Sequence, residues 1–141
     1  MKHLFLTIAL VFSSLISFAQ DSTASSVTIT VTIDNVKNDN GKVVMALHTS
    51  ETFMKGKGIK NVEAEIKDGK VTVTFEDVLP GEYAIMALHD ENENNRMDFE
   101  QNGIPKESYG MSNNNMSFGP PSYDDAKFEV ANENLDLNIR F

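Results

Sequence analysis

Apolar and polar residues alternate with period two along most of this chain. Val27, Ile29, Val31 and Ile33 are interleaved with Thr28, Thr30 and Thr32, the signature of a strand with one buried face. Residues 41–48 and 83–89 are apolar on both faces, as expected of central strands. Val62, Ala64 and Ile66 alternate with Glu63, Glu65 and Lys67, and Val71, Val73 and Phe75 with Thr72, Thr74 and Glu76. Asp68-Gly69 between these two runs is a two-residue hairpin signal. Asn38-Asp39-Asn40-Gly41 reads as a turn, and Leu79-Pro80-Gly81 predicts a type II turn with Gly at its second central position. Residues 50–57 predict a short helical turn with Phe53 and Met54 packed inward. Strands resume at residues 127–130 and 135–141, the last with Leu135, Leu137, Ile139 and Phe141 inward. Seven strands without a long helix predict an all-β fold, an antiparallel β-sandwich of Ig-like or transthyretin-like kind with one long ordered loop. A small barrel is the alternative.

The N-terminus departs from this pattern. Lys2 precedes an apolar run over residues 4–18, and Ser17 and Ala19 supply a small-x-small cleavage site. That order reads as a signal peptide of residues 1–19. Residues 20–26 are then a flexible leader, and residues 27–141 a single sandwich domain. The expectation is an exported protein, periplasmic, on the outer surface or secreted, with no membrane insertion after cleavage. The sequence of 141 residues has no cysteine, which excludes disulfides, thiolate metal sites and a cysteine nucleophile. With 21 acidic and 12 basic side chains its formal charge is −9, so it lacks the basic footprint that nucleic acids require.

Regular alternation stops after His89. Residues 90–126 are rich in Asn, Gly, Pro and Ser, and loops of this length are usually functional or disordered. The segment begins Asp90-Glu91-Asn92-Glu93-Asn94-Asn95-Arg96-Met97-Asp98. Oxygen side chains fall at relative positions one, three, five and nine, the order in which a calcium loop presents ligands to a hard cation. The candidate metal ligands are Asp90, Asn92, Asn94 and Asp98, with Arg96 through its backbone carbonyl. Asn95 stands where such loops carry Gly, and Asn tolerates the left-handed conformation best after Gly. Gln101 replaces the usual bidentate Glu. With two ligating carboxylates, the affinity expected is the weak one of extracellular modules. The competing structural reading is an Asn-rich turn bonding its own backbone. Farther on, Phe99, Tyr109, Phe118 and Tyr123 are expected to pin the loop as an ordered cap, or to offer a platform for a glycan or peptide.

These residues carry a resemblance. Leu79-Pro80-Gly81-Glu82-Tyr83-Ala84, His89 to Asn94, Gly103-Ile104-Pro105-Lys106-Glu107, Tyr109-Gly110, Ser112-Asn113-Asn114 and Phe118-Gly119-Pro120-Pro121-Ser122 resemble the small exported bacterial proteins of domain-of-unknown-function family 2141. The resemblance implies an exported β-rich protein with no established activity. Residues 79–98 are also similar to strands and calcium loops of bacterial surface repeats and carboxypeptidase-regulatory-like sandwiches.

Three functions follow as expectations. The first is a calcium-stabilised binding or structural module of the cell envelope, with a glycan, peptide or envelope protein as partner. The second is a metal-dependent enzyme: Met45-Ala46-Leu47-His48 and Met86-Ala87-Leu88-His89 repeat one ending, and His48, His89 and Asp90 at one end of the sandwich could bind zinc or do acid–base work. No Gly-x-Ser-x-Gly nucleophile context occurs. The third is strand-edge association through the Thr-rich first strand.

Overall fold

The computed structural model describes residues 25–115, 117 and 119–141. The expected signal peptide, most of the leader and Phe118 lie outside them. The described chain is all-β, in the order β1 (Val27–Ile33), β2 (Lys42–His48), β3 (Lys60–Glu65), β4 (Val71–Val78), β5 (Gly81–Asp90), β6 (Tyr109–Met111), β7 (Phe128–Val130) and β8 (Leu135–Asn138). One sheet has the order β4-β1-β8 and the other β3-β2-β5-β6. β7 continues the β6 side of β5, pairing Gly81 to Tyr83 where β6 pairs Met86 to Leu88.

Two expectations change here. Among the described residues the strands number eight, because Tyr109–Met111 inside the long loop adds an edge strand. The sandwich is also not wholly antiparallel, since β8 runs parallel to β1 with Ile29 opposite Leu135.

The core lies between the sheets and is the one the alternation predicts. Ile29, Val31 and Ile33 of β1, Val73 and Phe75 of β4, Val43, Met45 and Leu47 of β2, and Ile85 and Ala87 of β5 are buried against one another. The threonines face the other way, and Thr32 meets Thr72 across β1 and β4 at 3.3 Å.

The Asp68-Gly69 hairpin forms as its sequence dictates. Lys67 and Lys70 exchange both backbone bonds at 3.0 Å. Asp68 and Gly69 have φ of 52° and 70°, the two left-handed residues of a type I′ turn. Beyond this tip β3 and β4 part into opposite sheets. Asp39 accepts from the backbone N–H groups of Asp68 and Gly69, tying the turn before β2 to the hairpin.

Gly81 does not make a type II turn; it begins β5, and the left-handed residue nearby is Asp77, φ 53°. Val27 pairs Val78 while Ile29 pairs Phe75, so three steps of β4 match two of β1. That bulge turns the chain before Leu79, and the Tyr83 hydroxyl fastens the corner by donating to the Leu79 carbonyl at 2.9 Å. Residues 51–57 form turns and bends rather than a helix; Phe53 is buried but Met54 is exposed.

Phe75→Ala should destabilise the domain by about 3–5 kcal/mol in denaturant melts. Thr32→Ala, on the outer face, should cost under about 1 kcal/mol. Equal losses would contradict the assignment of the two faces.

Candidate functional site

The long excursion begins at a buried carboxylate. Asp90 ends β5 and has no solvent exposure. Its two oxygens accept from the backbone N–H groups of Asn94 (3.1 Å) and Asn95 (2.8 Å). The chain closes this tightly because Glu93 and Asn95 adopt φ of 58° and 62°, the conformation expected of Asn95 in place of glycine. Gly41 is required opposite: its φ is 67°, and a Cβ there would stand 2.1 Å from the Asp90 carbonyl oxygen.

The remaining predicted ligands gather around this turn. Asn92 and Asn94 each direct a side-chain amide at the same Asp98 oxygen, at 2.6 and 2.8 Å. Their own side-chain oxygens accept from the N–H groups of Asn94 and Arg96. Asp90, Asn92, Asn94 and Asp98 are thus brought together. The Arg96 guanidinium is exposed, with its Nε 3.9 Å from Asp98. The two amides are the first cause, with Arg96 and Lys106, that holds the Asp98 carboxyl below its usual range. Among the described residues, His, Asp and Glu side chains alone assemble no group of three or more suited to a metal. The residue types here, two carboxylates and two amides, are those of a hard-cation loop and not of a zinc site; as folded, both Asp90 oxygens and both amide oxygens accept backbone N–H groups.

A second anchor escaped the sequence reading. Glu107 is buried, and its carboxylate accepts from the N–H of Glu91 at 3.0 Å and of Asp98 at 3.1 Å. It staples both ends of the turn. Lys106 N–H donates to the Asp98 carbonyl, and Glu100 N–H to that of Ile104, so residues 98–106 fold back as a narrow hairpin. Nothing in the local sequence distinguishes Glu107 from the other acidic residues; only its burial does.

The two histidines share no site. His48 pairs with Ala84 and His89 with Val43, which places them about 16 Å apart along the strands. They also point to opposite faces. His48 lies on the outer face, edge-on to Phe53 at 5.7 Å and 3.2 Å from the Thr52 hydroxyl. Burial lowers its pKa, against the opposing Thr52 hydrogen bond. His89 lies on the core face, donates from Nε2 to the Asn40 carbonyl at 2.8 Å and stacks on Phe141.

Beyond the loop, the excursion folds over the outer face of the β3-β2-β5-β6 sheet. Phe53, Ala84, Met111 and Ala126 form a second small core there, with Tyr123 edge-on to Phe53. Ser112 and Asn113 hold the short helix Tyr123–Ala126 (α1) and the residue after it through backbone carbonyls. Asn114 pairs with both Asn138 and Arg140 of the last segment. These amides are engaged internally. Of the aromatics expected to pin the cap, Tyr123 does so, donating to the Glu82 carbonyl; Phe99 is instead exposed. Between this second core and the Asp90 turn the excursion stands away from the sheet. The gap is a cleft of about 540 Å³ floored by Val44, Ala46, Met86 and Leu88.

The sequence profile of a family described as uncharacterised proteins conserved in bacteria, DUF2141, matches residues 31–138. The chain belongs to this family. The DUF2141 match contains every residue of the Asp90 turn, the cleft floor and the Asn113-Asn114 clamp. No curated protein matches the chain. Among solved structures, a pilus-presented adhesin (Cpa) is similar over 85% of this chain and 27% of its own, at 11% identity and a TM-score of 0.30. The DUF2141 chain therefore spans about a quarter of that adhesin. Among the described residues no helix is long and apolar enough to cross a membrane.

Two outcomes follow. The His48 ring should titrate by NMR with a midpoint below the ordinary value of about 6.5. The unfolded chain then takes the proton more readily, so stability falls as pH drops from about 6.5 toward the folded midpoint. A midpoint at or above 6.5 would contradict the burial argument. Glu107→Gln replaces one acceptor oxygen by a donor, and should speed amide exchange at Glu91 or Asp98 while core amides of β1 stay protected. Unchanged exchange at both would remove Glu107 as the staple.

Proposed function

We propose that this DUF2141 chain is an exported cell-envelope binding module whose long excursion is braced by calcium. The observation that carries the reading is the convergence at Asp98. Its carboxylate stands against the amides of both Asn92 and Asn94, inside a turn whose ends are fixed by the buried acids Asp90 and Glu107. A divalent cation would replace the amide hydrogens as the positive partner of Asp98; to ligate it, the two amide oxygens would leave the backbone N–H groups of Asn94 and Arg96 from which they now accept. The ion would draw Asn92, Asn94 and Asp98 together, with local adjustment of the turn. Its role is structural: it fixes the root of the excursion, and the excursion holds the surface that meets the partner. Export rests on the N-terminal segment of the sequence.

Isothermal calorimetry of calcium into the chelator-treated protein tests this, paired with thermal melts. The expected affinity is in the range of about 10⁻⁴–10⁻³ M. At a hundredfold excess over Kd the linkage stabilisation is about 2.7 kcal/mol. Asp98→Ala should abolish both the heat and the calcium-dependent rise in Tm, with little change in the chelator melt. No heat at millimolar calcium, with identical melts in calcium and chelator, would leave the segment as an Asn-rich turn.

A further inference from the structure

The outer face of the β3-β2-β5-β6 sheet is unusual for a sandwich. A sheet face turned away from the core normally carries polar residues. Here Val44, Ala46, Met86 and Leu88 lie side by side on β2 and β5, and all four are only half-buried. The excursion passes over them without sealing them. Its own apolar groups line the opposite wall, among them Met97 and Phe99. Met54 and Phe99, both at this cleft, and Ile104 beside it are more than half exposed. Concave apolar space of this size, about 540 Å³, is typical of small-molecule sites, which run from about 300 to 1,000 Å³.

We infer that this cleft binds the hydrocarbon part of an uncharged, single-chain amphiphile. The inference rests on the binding-module reading above and names its ligand class. Charge decides the class. Among the described residues no Asp, Glu, Lys, Arg or His lines the cleft, and Tyr109 brings a phenol, so a buried ionic group would lack a partner. On one side, the stretch of residues 91–100 that bears Met97 and Phe99 carries four acidic residues outside the core, Glu91, Glu93, Asp98 and Glu100, against one arginine. An anionic headgroup emerging there is repelled, and a neutral one is not. Three methionines, Met54, Met86 and Met97, come from three separate segments to the same cleft. Their unbranched, polarizable side chains adapt to a flexible chain as a rigid aliphatic wall does not. The floor residues lie on the neighbouring strands β2 and β5, about 5 Å apart at ordinary strand spacing, with Tyr109 of β6 alongside.

The test titrates the full purified protein with the uncharged fluorophore N-phenyl-1-naphthylamine, in calcium and in chelator. Bound probe is then displaced with monopalmitoylglycerol or with palmitate at low salt. Saturable one-to-one binding is expected, with the neutral glyceride displacing the probe at least tenfold better than palmitate. Val44→Phe fills the floor and should weaken probe binding at least tenfold. Phe99→Ser, at an exposed position that folding does not require, should weaken it at least threefold. Leu79→Ser removes an exposed apolar side chain outside the cleft and should change nothing. Absence of saturable binding, or equal weakening by Leu79→Ser and Phe99→Ser, overturns the site. Palmitate displacing as well as the glyceride overturns the charge selection. Probe binding that persists when calcium gives no heat retires the calcium brace and keeps the cleft; calcium heat without probe binding does the reverse.

Discussion

A carboxylate buried at the end of a central strand governs the half of this molecule that lies outside the sandwich core. Asp90 is fully enclosed, and both of its oxygens are engaged by backbone N–H groups four and five residues farther on. Hydrogen bonds to an ionised acceptor are stronger than neutral ones, and a buried carboxylate left without them is costly. The chain leaving β5 is therefore obliged to turn at once. Glu107 repeats the device from the far side of the turn. Together the two acids set the direction from which residues 98–126 return across the sheet.

The remaining architecture follows from that return path. The inter-sheet core draws most of its side chains from β1, β2, β4 and β5, and among the described residues none of them comes from residues 91–126. The excursion builds a second, smaller core at the other end of the same outer face, around Phe53, Met111 and Ala126. It is clamped there by Ser112 and three consecutive asparagines that satisfy backbone carbonyls of the α1 segment and the last strand region. Anchored at both ends and raised in the middle, it leaves the apolar floor half-covered. The Asp90 turn and the cleft are consequences of one arrangement, in which the hydrogen-bonded root of the excursion lies beside the opening.

Much of this was legible in the sequence. Period-two alternation located β1, β2, β4 and β5 and assigned their inward residues, because one face of each is buried against the opposite sheet. Asp68-Gly69 fixed its own turn, being a local signal with a local cause. The spacing of Asp90, Asn92, Asn94 and Asp98 marked the turn that the structure closes. The failures are non-local. The parallel pairing of β8 with β1 and the short β6 depend on where distant segments dock. Gly81 begins a strand because the chain is turned by a bulge at Asp77, which no residue pattern announces. Met54 was expected inside, but the excursion passes beside it without covering it. The histidine repeat misled for a geometric reason: equal endings on antiparallel strands lie at opposite ends of a sheet, and one residue of offset puts them on opposite faces. Glu107 carried no signal beyond being one acid among many.

Hydrogen–deuterium exchange, comparing the protein with its Asp90→Ala variant, tests most directly whether this one carboxylate holds the excursion. The account predicts faster exchange across residues 91–111, with β1 and β4 as protected as before. Unchanged exchange across the excursion, or an equal loss of protection throughout the sandwich, would contradict it.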